Sequence, residues 1–321
     1  MPGKIIELER QLSSATKSDE RLRLMLELVE ELEWSDYVDG WNYASQALEL
    51  ATALGDRSAI ATSHEGIANC LWKLAEYPEA LDNYELALDN FLSQGDLYGV
   101  ARCYCGLGII NGSMENYASA LECFDDGLSA ARRSGKQALA ATITGNIGHV
   151  YFNMGNYTDA MQCFENGLNF YRRDNDSHGA ANMLSGMAGI HVYQGEHAKG
   201  LELVRRAREL HKKAKRGRGV AVCMMNIGIA LQKMGKLEQA YKELKSALNY
   251  ARSIKLKSTE HDVLKNLSQV CSELDRKDEA HQYLELYLHG EREQKQLAVK
   301  SKNEQFRKRQ LIREIQQQKK V

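Results

Sequence analysis

The feature that most constrains this chain is a strict spacing of 40 residues. Seven small residues keep that spacing without slippage, namely Gly40, Ala80, Ala120, Ala160, Gly200, Ala240 and Ala280. A register kept from residue 40 to residue 280 indicates one supersecondary unit repeated end to end, because insertions between units would have blurred it. The spacing therefore predicts one elongated repeat array with short flanks.

Two further columns predict that each unit is a helical hairpin. Three residues before each small residue stand Tyr37, Tyr77, Tyr117, Tyr157, His197, Leu237 and Lys277. Twelve residues before it stand Ala68, Gly108, Gly148, Ala188, Gly228 and Ser268. Small residues in two amphipathic segments allow close helix crossings, because a missing side chain lets two backbones approach. We therefore predict two helices per unit, A and then B, and an all-α fold.

The unit at residues 141–180 shows where its helices begin and end. Helix A is predicted through ATITGNIGHVYFNMG, ending near Gly155, and helix B through NYTDAMQCFENGLNFYRR. Glycine tolerates the left-handed conformation that ends many helices. Polar turns such as Gly55-Asp56 and Gly95-Asp96 join the units, with an aspartate suited to cap the next helix.

These residues resemble the tetratricopeptide repeat. Its small-residue, Tyr, Ala and Ala-Leu signature is matched over about residues 21–290 by GNIGHVYFNMGNYTDAMQCFENGL, IGIALQKMGKLEQAYKELKSAL and GIANCLWKLAEYPEALDNYELAL. The period departs from the usual 34 residues, which adds roughly 9 Å of helix per unit. That longer period is similar to the repeats of the cell-polarity adaptor Pins, the bacterial Rap regulators, and the sensor regions of bacterial nucleotide cyclases, diguanylate cyclases and histidine kinases. The resemblance implies a right-handed superhelical solenoid of about seven hairpins.

The repeat register divides the chain into three parts. We expect an N-terminal capping helix over 1–20, a solenoid over 21–290, and a charged helical or coiled-coil linker over 291–321. The repeats are expected near 21–60, 61–100, 101–140, 141–180, 181–220, 221–260 and 261–290.

The last 31 residues are basic and helix-forming. Residues 291–321 hold ten Lys/Arg and four Asp/Glu, and no proline. They resemble the linker between sensor and output domains in bacterial cyclases and kinases. We therefore expect a long C-terminal helix that pairs weakly with a second copy as a homodimer. The ending Lys-Lys-Val carries no helix stop, which predicts that an output domain follows in a longer protein.

The sequence offers little for catalysis. It lacks a phosphate-binding glycine loop, a His-Glu-x-x-His motif and a nucleophile elbow. Its seven cysteines are odd in number and scattered through predicted helices, where free Cys acts as a small hydrophobe. His191 and His197 are expected to approach each other across one hairpin in packing roles. We therefore predict no enzymatic activity, no metal and no cofactor.

Localisation and nucleic-acid binding follow from hydropathy and charge. No stretch is apolar over the 18 or more residues that a membrane span needs, and the N-terminus lacks an apolar signal core. We therefore expect a cytoplasmic protein without a membrane partner.

A basic cluster lies within residues 204–219, where there are eight Lys/Arg and one Glu. Such a cluster suits either an acidic partner or a solvated outer face. No aromatic stacking platform accompanies this cluster, so we do not expect nucleic acid as a partner.

Binding chemistry is expected on the A helices, which line the concave wall of a tetratricopeptide solenoid. The candidate groove residues are Asn69, Trp72, Lys73, Asn146, His149, Phe152, Asn153, Tyr193, Asn226, Lys233 and Asn266. In related proteins, asparagines at the positions of Asn146, Asn226 and Asn266 hydrogen-bond an extended peptide, since an amide both donates and accepts. The alternative is that they only bridge adjacent helices. Gly189 brings no side chain, so the wall should be shallow there.

Three functions remain open. The first is a non-catalytic protein-interaction and sensor region of a larger signalling protein with a cyclase or kinase output, which the tail favours. The second is a stand-alone Pins-like adaptor that binds a partner peptide in the groove, which the asparagine column favours. The third is a Rap-like regulator that senses a small peptide. The carboxylate clamp of chaperone-binding relatives does not carry over, because Glu65 and Cys105 stand one turn before Asn69 and Ile109.

Overall fold

A computed structural model describes residues 2–32, 36–293, 296 and 299, and all regular structure among them is helical. The helices in chain order are α1 (Pro2–Ser14), α2 (Ser18–Leu32), α3 (Tyr37–Leu54), α4 (Arg57–Lys73), α5 (Tyr77–Gln94), α6 (Leu97–Ser113), α7 (Tyr117–Arg133), α8 (Gln137–Asn153), α9 (Tyr157–Arg173), α10 (Ser177–Tyr193), α11 (His197–Lys213), α12 (Gly217–Lys233), α13 (Leu237–Ser253) and α14 (Lys257–Glu273). A further helix, α15, covers residues 277–293. From α2 onward, even-numbered A helices alternate with odd-numbered B helices. The predicted all-α fold of tandem hairpins is confirmed, whereas most of the predicted tail helix lies outside the described residues.

Helix boundaries follow the columns of the sequence. The B helices from α3 to α13 begin at Tyr37, Tyr77, Tyr117, Tyr157, His197 and Leu237, three residues before the small column. In the unit at residues 141–180, α8 ends at Asn153 and α9 begins at Tyr157. The helix end that was predicted near Gly155 is therefore confirmed.

One residue in every twenty from Gly55 to Asp275 adopts the left-handed conformation. Six of these are glycines, and the others are Ala75, Glu115, Asn175, Lys215, Lys255 and Asp275. At the α8–α9 turn, the Asn156 N–H donates to the Tyr151 carbonyl (2.8 Å) and the Gly155 N–H donates to the Phe152 carbonyl (3.0 Å). These two bonds satisfy carbonyls that a helix end leaves without partners. The same turn recurs at each junction from α3–α4 to α14–α15, which keeps these helices in register.

Aspartates cap several of the A helices. The Asp56 carboxylate accepts from the Ala59 N–H at 3.0 Å, and the carboxylate of Asp96 accepts from the Gly99 N–H at 3.1 Å. Asp176 repeats the arrangement at the start of α10. Each side chain thereby satisfies a donor that the first helical turn leaves free. The capping role predicted from the Gly-Asp turns is confirmed.

The described residues form two units, each with its own core. One comprises residues 2–80 and 288–293, and the other Leu81–Tyr287. In the first, Leu8 and Leu12 of α1 belong to a cluster with Leu24 and Leu28 of α2. In the second, one continuous apolar core extends from Ala141 to Cys271. Stacked hairpins bury their apolar faces on their neighbours in this way.

Large rings and glycines are matched across successive helices of the second unit. A Cβ added to Gly179 would collide with the Tyr171 ring, and one added to Gly99 would collide with the Phe91 ring. Tyr171 and Phe91 occupy the same position of their B helices, three residues before the turn. At that position of α7 and α13 stand Ala131 and Ala251, and the residues equivalent to the glycines are Leu139 and Thr259. A large ring on the B helix is thus paired with a glycine on the next A helix, and an alanine on the B helix is paired with a larger residue.

His211 occupies the ring position of α11 and is almost fully buried, with 2% of its surface exposed. Its ring lies against Gly219, and its Nδ1 lies 3.3 Å from the Nδ1 of His178. Burial, together with the nearby His178 and Arg216, lowers the pKa of His211 to about 4. Burial and Arg216 also lower the pKa of His178, against an opposing effect of Asp176. When both rings are neutral, the Nδ1 of one can donate a hydrogen bond to the Nδ1 of the other. When both rings are protonated, each Nδ1 carries a hydrogen and neither can accept.

We expect the free energy of unfolding to fall between pH 7 and pH 5. The unfolded chain protonates His211 near its ordinary pKa of about 6.5, whereas the folded chain resists protonation down to about pH 4. The unfolded state therefore binds more protons in this window, which disfavours folding by about 2 kcal/mol at pH 5. His211→Phe should remove most of that loss, because phenylalanine does not titrate. The new ring should fit, because Phe91 already packs on Gly99 in the same way.

Urea unfolding of the wild type and His211→Phe at both pH values measures this difference. Titrating groups other than His178, which contacts His211, are common to the two proteins and cancel in the comparison. Equal losses in both would contradict the role assigned to His211.

Candidate functional site

A pocket of about 430 Å³ opens among α10, α11 and α12. Its lining residues are Ser185, Ala188, Gly189, Val192, Tyr193, His197, Val204, Asn226, Ile229 and Lys233. Its volume falls within the range of about 300–1,000 Å³ that is typical of ligand sites. We call it the Gly189 pocket.

Two glycines distinguish the repeat that holds this pocket. The positions equivalent to Gly189 hold Asn69, Ile109, His149, Ile229 and Gln269. A Cβ added to Gly189 would have no neighbour within 4 Å, so the missing side chain leaves open space. Gly200 replaces the alanine usual in its column, and a Cβ there would lie 3.0 Å from the Ala188 carbonyl oxygen. The backbone of α11 can therefore approach α10 closely, while the space beside Gly189 stays open.

The walls of the Gly189 pocket are apolar. Ala188 and Val204 are buried, with 0% and 3% of their surfaces exposed. Val192 and Ile229 are half-buried and add branched side chains from the two A helices. Such walls favour an apolar occupant, because contact with them removes apolar surface from water.

Polar groups stand among these walls. The Asn226 amide makes no hydrogen bond to any residue that the structure describes, and Lys233 at the end of α12 is exposed. The His197 Nδ1 is buried without a hydrogen-bond partner within the same described residues. The Ser185 hydroxyl donates to the Ala181 carbonyl at 3.0 Å. Asn226 therefore offers both a donor and an acceptor to a ligand.

An aromatic cluster adjoins the pocket through Tyr193. This side chain is 70% exposed, and its ring centroid lies 5.9 Å from that of Phe152 and 5.2 Å from that of Tyr157. These separations are typical of favourable ring pairs. The cluster joins α8 and α9 to α10, and its exposed Tyr193 ring lies beside the pocket.

Of the residues predicted from sequence, Tyr193, Asn226 and Lys233 come together in the Gly189 pocket. Phe152 adjoins it through Tyr193, and Asn153 is exposed at the end of α8. The His149 ring meets the Phe164 ring edge-on at 4.9 Å. Protein crowded around that ring lowers the pKa of His149, although its side chain is exposed.

The predicted asparagine column divides into three different environments. The Asn146 amide donates to the Cys105 thiol at 3.3 Å, which bridges two A helices. The Asn266 amide donates to the Asp262 carbonyl of its own helix at 2.8 Å. Asn226 alone of the three lines the pocket. The helix-bridging alternative therefore describes the contact of Asn146, and the ligand-binding hypothesis centres on Asn226.

Asn69, Trp72 and Lys73 lie on α4, in the unit formed by residues 2–80 and 288–293. The Lys73 ammonium nitrogen lies 3.5 Å from the centroid of the Trp72 ring. This is a cation–π contact within the protein.

Sequence reasoning missed four lining residues, namely Ser185, Ala188, His197 and Val204. The approach of His197 to His191 stays a prediction, and the His191 ring contacts the Glu196 carboxylate at 2.7 Å. The available signal was that one repeat departs from the pattern at three columns, with His197, Gly189 and Gly200.

The basic cluster of α11 is partly paired. Arg208 donates to Glu243 at 3.0 Å, and Lys212 donates to Glu209 at 3.0 Å. Arg205, Arg206 and Lys213 are exposed.

Within the described part of the chain, no cluster of three or more side chains is suited to a metal ion. None of the described helices is long and apolar enough to cross a bilayer.

The chain belongs to the tetratricopeptide repeat family, whose model matches residues 60–133, 139–213 and 179–253. No curated protein matches it in sequence. Among solved structures it is similar to a Rap protein complexed with competence and sporulation factor (14% identity, 91% of this chain and 80% of that one, TM-score 0.73). It is also similar to the Rap conjugation gene regulator of plasmid pLS20 in complex with the Phr* peptide (15%, 87% and 74%, 0.68). A third is the apo quorum sensor NprR from B. thuringiensis (14%, 88% and 91%, 0.54). At these identities the likeness concerns the fold.

Leucine introduced at two A-helix glycines, Gly148 and Gly189, should have opposite effects on stability. At Gly148, a Cβ would already lie 3.0 Å from the Cys163 Cβ and 3.1 Å from the Phe164 ring, so Gly148→Leu should cost about 1–3 kcal/mol by overpacking. Gly189→Leu projects into open space and should leave stability unchanged or raise it by up to about 1 kcal/mol, since Leu favours helix over Gly. Chemical denaturation of both variants tests the assignment. Equal destabilisation would mean that the Gly189 pocket is filled in solution.

Proposed function

We propose that this chain is a non-catalytic protein-interaction and sensor module that binds an extended peptide segment on its A helices, centred on the Gly189 pocket. The observation that carries the proposal is the Asn226 amide, which stands without a partner among apolar walls. An extended peptide has backbone N–H and C=O groups that such an amide can satisfy together. Its side chains can occupy the pocket and lie on the ring of Tyr193.

The comparisons support a peptide as the ligand class. Two similar structures are described as complexes, one with competence and sporulation factor and one with the Phr* peptide. These complexes favour a peptide-sensing regulator over an adaptor that docks on a partner protein.

The further proposal of a larger cytoplasmic signalling protein, with an output domain and a dimer formed through residues 291–321, rests on the composition of the tail. The mass of the native polypeptide tests it, since a value clearly above 36.2 kDa is expected.

Removing the Asn226 amide should weaken peptide binding without affecting folding. A dodecapeptide enriched by the wild-type chain from a random phage-displayed library serves as the probe. Asn226→Ala should weaken its affinity by about 1 kcal/mol or more, because polar peptide groups lose their partner. Asn146→Ala should cost less, since that amide is bonded to Cys105.

Asn249→Ala provides the matched control, because Asn249 is exposed on the B helix α13. Fluorescence anisotropy with the labelled peptide gives all four affinities. Equal weakening by Asn226→Ala and Asn249→Ala would place the binding site elsewhere. Unchanged affinity in both variants would do the same.

A further inference from the structure

The Gly189 pocket has an ordered chemistry along the A helices. The rings of Phe152 and Tyr157 meet Tyr193 of α10 on one side. The apolar walls lie between α10 and α12, and Lys233 stands on α12. Because α10 contacts both α8 and α12, the order across the surface is rings, apolar pocket and ammonium group.

Lys233 is the one lysine or arginine among the lining residues. It is exposed, and it forms no ion pair within the part of the chain that the structure describes. A single ammonium group beside an amide suits one carboxylate. A polyanion such as nucleic acid instead requires several cations along its backbone.

The spacing of the helices limits where that carboxylate stands in the ligand. Packed helices lie about 8–10 Å apart, and an extended chain advances about 3.3 Å per residue. Moving from a side chain in the pocket to one at the next helix therefore takes about two or three residues. Lys233 itself lines the pocket, so its partner lies no farther than that.

We propose that the Gly189 pocket recognises a linear peptide in which one bulky apolar side chain fills the pocket and an aspartate or glutamate within three residues pairs with Lys233. This inference rests on the proposed function and specifies its ligand. The apolar side chain supplies most of the affinity, since anchors in desolvated pockets dominate binding. The charge pair at the rim selects among peptides that carry such an anchor.

A specificity swap tests the proposal. The wild type, Lys233→Glu and Lys213→Glu are each used to select dodecapeptides from a random phage-displayed library. Lys213 is the matched control, because it is exposed on α11 and does not line the pocket. Wild type and Lys213→Glu should enrich a bulky apolar residue with Asp or Glu within three positions. Lys233→Glu should enrich Lys or Arg in place of the acid, and it should bind wild-type peptides about five-fold more weakly or worse.

A second variant tests the anchor. Gly189→Leu fills the space that the apolar side chain is proposed to occupy, so it should weaken binding of wild-type peptides about ten-fold or more. Circular dichroism melting of each variant establishes that it is folded.

The outcomes separate this inference from the proposed function. Peptides that bind the wild type and depend on Asn226, yet show no acidic preference or no swap with Lys233→Glu, overturn the inference and leave peptide binding in place. Unchanged affinity in Gly189→Leu overturns the anchor in the same way. If the wild-type chain enriches no peptide, both proposals fail.

Discussion

The second unit of this protein depends on close contact between a B-helix ring and a glycine of a neighbouring A helix. The Phe164 ring shows it most fully, because a Cβ added to either Gly148 or Gly186 would crowd that ring. A ring that fits only where a side chain is absent fixes the axial position of both helices. Insertion of one residue would bring a side chain against the ring, so the contact maintains the 40-residue register. The left-handed residue at each turn of this unit maintains the same register through the backbone.

Function in this account comes from departures within a regular array. Since the A helices α6 to α14 begin and end at the same columns, equivalent positions form rows across these helices. Gly189 interrupts one row by removing a side chain, and Gly200 lets α11 approach α10 beside the gap. His197 replaces the tyrosine that begins all four preceding B helices. A pocket with apolar walls and a free amide appears where these three departures fall in one repeat.

Helix type, helix ends and caps followed from the sequence, because each depends on residues close together in the chain. Gly155 was sufficient to predict the end of α8, and Asp56 was sufficient to predict the cap of α4. The pocket did not follow, because column equivalence ignores what the neighbouring repeat supplies. Asn146 and Asn226 are equivalent by spacing, yet Cys105 engages the first amide. The second opens into the space beside Gly189.

The central claim is that a peptide occupies the Gly189 pocket, and methyl NMR tests it most directly. Titration with a dodecapeptide selected by the wild-type chain should shift the methyl signals of Val192, Val204 and Ile229, which line the pocket. The methyl signals of Leu86 and Leu284, which are exposed on B helices, should stay in place. Shifts confined to the B-helix leucines, with the pocket methyl signals unmoved at saturation, would contradict the account.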